Sequence, residues 1–279
     1  MAITTVKAMP GFTFGCDPEL FVADPTGRLV SAEGLIPGTK ENPHKVAFGA
    51  VQVDGMAAEF NIDPVQTYFE WEGSIVKVMT QLQSMLPRGF SLVQKPAVVF
   101  DEEQWERSPD NAKELGCSPD YNAWTEGVNP PPQCLDNPRL RTASGHIHIG
   151  WTTDESLADP DHAKNCRDLV KQLDWYLGSW SLNFDKDNTR RDLYGKAGAM
   201  RYKDYGVEYR VLSNFWLQSA KHRQSVWNRM NAAIKAMRKD YLPESAANFN
   251  NRLIESINTS TLDASLSAQY MFPIHTLTV

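Results

Sequence analysis

Four segments of this chain repeat one pattern: two polar residues at spacing two inside a stretch that is otherwise apolar. The pairs are Asp17 and Glu19, Glu59 and Asn61, His146 and His148, and Glu208 and Arg210. Successive side chains of a strand point to opposite faces, so each pair shares a face. In the last three segments the opposite face is apolar: Ala58, Phe60 and Ile62; Ile147, Ile149 and Trp151; Val207, Tyr209 and Val211. A sheet of this kind packs its apolar face on helices and turns its polar residues the other way. Strands come early and recur between helices without regular βαβ spacing. The pattern predicts an α+β fold with a mainly antiparallel sheet.

The remaining elements follow from periodicity and punctuation. Asp24-Pro25-Thr26-Gly27 reads as a hairpin turn, and Gly34 to His44 as a long loop. Val46–Asp54 and Met56–Ile62 read as strands joined at Asp54-Gly55. Asp63-Pro64 offers an N-cap and a first-turn proline for a helix running to about Leu86. Gly89–Phe100 reads as a strand pair or one long strand, and Asp101–Arg107 as a short acidic helix. An irregular loop follows through Pro130-Pro131-Pro132. Thr142–Trp151 and Gly206–Leu212 read as strands, and Asp159–Phe184, Asn214–Met237 and Pro243–Ile257 as helices. We expect one domain over 1–279, with 214–279 its mostly helical C-terminal part.

Composition excludes several classes. A formal charge of −6 argues against a bare phosphate backbone as partner, so no direct nucleic acid binding is expected. No apolar run reaches the length of a membrane helix, and Met1 to Gly11 lacks the apolar stretch of a signal peptide. The cysteines Cys16, Cys117, Cys134 and Cys166 form no CxxC, which points away from zinc thiolates and disulfides and towards a reducing cytoplasm. Cys117 reads as a small buried hydrophobe.

The polar faces carry the chemistry. A sheet face in water is one reading. Solvated faces, however, favour Thr, Lys and Arg, whereas these four segments carry acids, imidazoles and one arginine. Clustered carboxylates repel one another unless a cation sits among them, and oxygen donors with one or two imidazoles suit Mg²⁺ or Mn²⁺ better than zinc. A cupin-type site would want an acid closer to the His pair than Glu155. No GxSxG elbow or GxxxxGK[ST] loop is present.

Four blocks bear a resemblance. Phe14-Gly15-Cys16-Asp17-Pro18-Glu19-Leu20-Phe21, Asp54-Gly55 with Glu59-Phe60-Asn61-Ile62, Ser144-Gly145-His146-Ile147-His148-Ile149-Gly150, and Gly206-Val207-Glu208-Tyr209-Arg210-Val211-Leu212 occur in that order. The chain resembles the phage-type carboxylate–amine ligases (amidoligases, type 2) of the glutamine synthetase and glutamate–cysteine ligase superfamily. The resemblance implies a curved sheet with helices outside, and ATP-dependent amide formation through an acyl phosphate. It implies ATP and Mg²⁺ (or Mn²⁺) as cofactors, small-molecule carboxylate and amine substrates, and the host cytoplasm if a phage encodes it; a homo-oligomer is compatible with it. By the same resemblance Glu19 and Glu59 would hold one metal, and Asp17, His146 and Glu208 another. Arg210 and Arg201 would neutralise the transferred phosphoryl group, and His148 would lie near the nucleotide phosphates. Lys40, Arg190, Arg191 and Lys196 are further phosphate candidates, and Gly116 to Tyr121 is a candidate substrate loop.

The block match departs from the family at Asp17, where a Glu is usual. Asp54 lies at an odd spacing from Glu59 and so on the other face, unless Gly55 allows a bulge. Two other classes remain open on sequence alone: a metal-dependent phosphohydrolase or nucleotidyl enzyme using the same metals, and a non-catalytic phage component keeping the fold.

Overall fold

The structure, a computed structural model, describes residues 11–113, 120–132, 136–151, 159–238, 247–263 and 266. Cys117, Cys134, Glu155, Pro243, His275 and most of the C-terminal tail lie outside them.

One long strand organises the sheet. β1 (Thr13–Ala23) pairs through Thr13–Pro18 with β10 (Gly145–Gly150), and through Glu19 and Leu20 with β5 (Ala57–Ile62). Its end, Phe21–Ala23, pairs with β2 (Leu29–Val30) and β6 (Ser91–Val93). Pro18 has no N–H to donate, and it stands where the β10 ladder ends. β3 (His44–Val46) and β4 (Gly49–Asp54) extend the sheet beyond β5. β12 (Gly206–Tyr209), β11 (Ala199–Lys203) and β8 (Tyr121–Asn122) extend it beyond β10. A separate ribbon joins β7 (Ala97–Val99) to β9 (Leu140–Thr142). All the described pairings are antiparallel.

Helices cover the apolar face. α1 (Tyr68–Met85) packs on β4 and β5. α2 (Glu102–Arg107) and α3 (Asp110–Lys113) are short. α4 (Pro160–Leu173) packs on β11 and β12, and runs through a π-helical turn, Asp174–Gly178, into α5 (Ser179–Ser181). α6 (Thr189–Leu193) follows. α7 (Ala220–Arg238) lies against α1 and α4, and α8 (Ala247–Asn258) against α5 and the π turn. Phe60, Ile147, Ile149, Val207 and Tyr209 are buried beneath these helices. Each aliphatic or Phe side chain contributes about 1.5–3 kcal/mol of burial. A one-residue slip would expose them all, so the apolar face fixes the register that presents the polar one. Among the described residues no helix is long and apolar enough to cross a membrane.

A second, smaller core lies on the polar face at one end. Phe21 and Ala57 share the parity of Glu19 and Glu59, and they pack with Val98, Phe100, Ala112 and Ala143. The ribbon and α3 thus wall off one end of that face, and part of it lies away from water.

Several expectations need correction. α1 begins at Thr67, not at Asp63-Pro64: Thr67 accepts from the Glu70 backbone, and Glu70 reaches back to the Thr67 N–H in a capping box. Val65 instead bridges Phe14 by two backbone hydrogen bonds of 2.8 and 2.9 Å. Gly89–Phe100 splits into β6 and β7, which join different sheets. The expected helix from Asn214 opens with a 3-10 turn, Asn214–Gln218, capped by Ser213. The strand β11 occupies a stretch to which the sequence pattern assigns no element.

Candidate functional site

The polar pairs come together on one sheet face in two groups. Strand register puts Asp17 directly opposite His146, and His148 opposite Glu208. Asp17, His146 and Glu208 each offer a ligand-type atom, all within 4.8 Å of one another. His146 Nδ1 is 3.5 Å from both Asp17 Oδ1 and Glu208 Oε1. His148 Nε2 approaches Asp17 Oδ1 to 2.9 Å, within ion-pairing distance. Its Nδ1 is 2.5 Å from the Tyr205 hydroxyl, the donor being set by the imidazole tautomer.

This first group is charge-balanced. Glu208 is fully buried, and Arg210 donates to its Oε1. Lys203 Nζ is 2.9 Å from its Oε2, and Arg201 Nη1 is 3.5 Å from each of its carboxylate oxygens. Arg210 Nε donates to Asp120 Oδ1 at 2.8 Å. The protonation states follow from these neighbours. Burial pushes the Glu208 carboxyl up and Asp17 adds to that, but His146, Arg210 and His148 outweigh both and hold it down at about 2. Burial also works against the Asp17 anion, yet the two imidazoles hold its carboxyl well below its ordinary value. His146 is lowered by burial and by Arg210; His148 is raised, because Asp17 outweighs burial.

The second group is Glu19, Asp54 and Glu59, again with ligand-type atoms within 4.8 Å. Glu19 faces Glu59 directly across the ladder, a pairing that costs stability when both are ionised. Burial, then Asp54, pushes Glu19 up to about 7, although the Ser144 N–H bonds its Oε2 at 2.8 Å. Burial, then Asp17, Asp54 and Glu19, raises Glu59 well above its ordinary value. The exposed Lys40 ammonium stands at the rim, 3.6 Å from Asp54 Oδ2.

Asp54 reaches the site because parity does not carry across a hairpin. β4 and β5 pair Asp54 with Ala57 and Gln52 with Glu59, so the even residues of β4 share a face with the odd residues of β5. Gly55, at φ +57, takes the first of the two turn positions, where a positive φ favours glycine. No bulge is needed.

Arg190 and Arg191 require a correction. They are not loop residues; they sit in α6, each 1% exposed. Arg190 donates to Val211 O, Ser144 Oγ and Arg210 O at 2.9, 3.0 and 3.2 Å. Arg191 donates to Gly195 O and Ser181 Oγ, with Asp185 at 3.6 Å. Burial lowers Arg190 to about 10, so it stays cationic at neutral pH. Lys196 is half-buried in the turn before β11. Lys203, Tyr205 and Asp120 belong to the first group; the sequence reading singles out neither Lys203 nor Tyr205, and Asp120 only as part of the candidate loop Gly116 to Tyr121. Arg201 and Lys203 again share a face at spacing two, a signal that becomes readable once β11 is recognised as a strand.

The two groups differ as cation sites. Glu19, Asp54 and Glu59 are oxygen donors, Glu59 buried and the other two half-buried, mutually repelling and weakly compensated, a set that fits a hard divalent cation. Asp17, His146 and Glu208 form a mixed set whose Glu208 already has cationic partners. Its Asp17 Oδ1 is shared between two imidazoles, 2.9 Å from His148 Nε2 and 3.5 Å from His146 Nδ1.

No protein-family model matches the chain, and a search of curated proteins finds no match. Among solved structures, a bifunctional glutathione synthetase from Pasteurella multocida is similar at a TM-score of 0.39 and 10% identity. The similarity covers 93% of this chain and 49% of that one, so the chain spans about half the length of that protein. A likeness at this level says nothing about chemistry.

Proposed function

We propose that the chain is an ATP-dependent carboxylate–amine ligase, forming an amide bond through an acyl phosphate on a divalent-metal site. The observation that carries the reading is the pairing, on one sheet face, of a weakly compensated carboxylate cluster with a charge-balanced cluster of acids, imidazoles and cations. Phosphoryl transfer to a carboxylate is mostly positioning and charge neutralisation. Glu19, Asp54 and Glu59 would hold one divalent cation, and Asp17, His146 and Glu208 are the donors for another. Cations there neutralise phosphate oxygens. Arg210, Arg201 and Lys203 supply side-chain positive charge to a phosphate-bearing substrate. Tyr205 fixes the His148 ring beside Asp17.

Amide formation, rather than transfer to water, is supported by the ordered resemblance of the four blocks to the phage-type amidoligases. That resemblance also supports a glutamine synthetase-like sheet, a single catalytic module and a cytoplasmic setting. The test is a screen of acid and amine pairs with Mg·ATP, reading ADP release and product mass. The expected result is ADP release that depends on both substrates and is at least a hundredfold lower in Glu208→Gln, the scale of removing one electrostatic stabiliser. Full-rate phosphate release without any acceptor would point to a phosphohydrolase. Failure to bind metal and nucleotide would point to a non-catalytic component.

A further inference from the structure

Arg190 is a buried cation none of whose hydrogen bonds goes to a carboxylate. Its neighbour Arg191 is equally buried, in the same short helix, but has Asp185 within ion-pairing distance. Arg190 Nε is buried without a hydrogen bond, so this guanidinium is not held there by full satisfaction of its donors. Its contacts are nevertheless specific. One nitrogen, Nη2, bridges the Ser144 hydroxyl and the Arg210 carbonyl; the other, Nη1, binds the Val211 carbonyl.

Both contacts lead to the site. Ser144 donates its N–H to Glu19 Oε2 at 2.8 Å, and its carbonyl accepts the Glu19 N–H at 2.9 Å. Asn214 Nδ2 donates to the Glu19 carbonyl at 2.8 Å, and Ser144 and Ser213 form a bridge. Glu19 is therefore gripped by Ser144, and Ser144 is gripped by Arg190. On the other side, Arg190 holds the backbone of Arg210, whose guanidinium neutralises Glu208. We propose that Arg190 is a positioning residue: acting through Ser144 and the Arg210 backbone, it fixes the Glu19 carboxylate for a divalent cation and sets its placement relative to Arg210. This rests on the reading of Glu19, Asp54 and Glu59 as a cation site. The guanidinium fork matters because it reaches the Ser144 hydroxyl and the Arg210 and Val211 carbonyls at once, which the point charge of a lysine cannot do.

The test is Mn²⁺ affinity of the full chain, read by electron paramagnetic resonance of free Mn²⁺, with near-ultraviolet circular dichroism confirming the fold. Arg190→Lys should weaken Mn²⁺ binding by about tenfold, the lower end of effects from residues behind a metal ligand. Ser144→Ala removes only the hydroxyl and should weaken binding in the same direction by a few-fold; it decides the matter if Arg190→Lys does not fold. Arg191→Lys is the control. It should lower the unfolding midpoint while leaving Mn²⁺ affinity unchanged. If Arg190→Lys and Ser144→Ala bind Mn²⁺ like the unmodified chain while Glu19→Gln does not, the positioning role is wrong and the cation site stands. If the unmodified chain and Glu19→Gln both fail to bind, both readings fall.

Discussion

Two acidic clusters share one sheet face and one strand, yet they titrate in opposite directions. Glu208 is held down at about 2, whereas Glu19 is pushed up to about 7. Burial acts the same way on both, so burial cannot be the difference. Neighbours are. Glu208 has His146, Arg210 and His148 around it; Glu19 has Asp54 beside it. One cluster has its countercharge built into the chain, and the other is left to recruit it.

The comparison can be broken most severely at Glu208. Changing it to Gln leaves Arg210 and Lys203 facing each other without their shared anion. Breaking a buried pair in this way costs about 3–5 kcal/mol, and urea unfolding should show it. The same change at Glu59 should behave oppositely, leaving the metal-free fold at least as stable, since it removes a repelling charge.

Acidity sharpens the contrast next. Glu19 has a folded value raised from 4.5 to about 7, so its contribution to stability is fully present below 4.5 and is lost as pH rises through about 7. At 1.36 kcal/mol per unit this amounts to roughly 3 kcal/mol across that window. Glu208 and Asp17 are lowered, so their contribution is present above their ordinary values of 4.5 and 3.8 and is lost only as pH falls below them. Metal-free thermal unfolding should therefore weaken from pH 5 to pH 8, and Mg²⁺ should restore stability more at pH 8 than at pH 6. Asp174, raised to about 6 by burial, titrates in the same window, so the comparison is with Glu19→Gln, which should flatten the slope. An unchanged slope in that variant would remove Glu19 as its source.

The smallest effect belongs to Lys40, the exposed cation at the rim of the second cluster. Lys40→Met should change metal-free stability by less than about 1 kcal/mol, as exposed ion pairs do. Isothermal titration should show Mn²⁺ binding roughly threefold tighter, because a competing ammonium is gone.

Much of this face is legible in the sequence, because spacing two within a strand is a rule without exceptions in a regular ladder. Asp17, Glu19, Glu59, His146, His148, Glu208 and Arg210 fall on one face for that reason. The rule fails where the chain turns. Asp54 escapes it because counting through the Gly55 turn ignores the register of the hairpin. Lys203 and Arg201 stand on a strand of five residues whose turn, Asp204-Tyr205, gives little local warning. Asp120 lies at the end of the candidate loop Gly116 to Tyr121, but its pairing with Arg210, ninety residues away, is tertiary. The buried arginine pair misleads for a different reason: basic residues near glycines look like loop cations, and only packing reveals that they are buried in α6 and donate to backbone carbonyls and serine hydroxyls.

Pro18 has one more consequence. It sits between Asp17 and Glu19 on β1, which has β10 on one side and β5 on the other. The two clusters are thus assembled on different neighbours but measured from a single covalent ruler, two strand steps or about 6.6–6.8 Å long. Shear between neighbouring strands can alter either cluster internally, but it cannot change the distance between the two marks on that ruler. Any molecule bridging them meets a gap calibrated by peptide geometry itself.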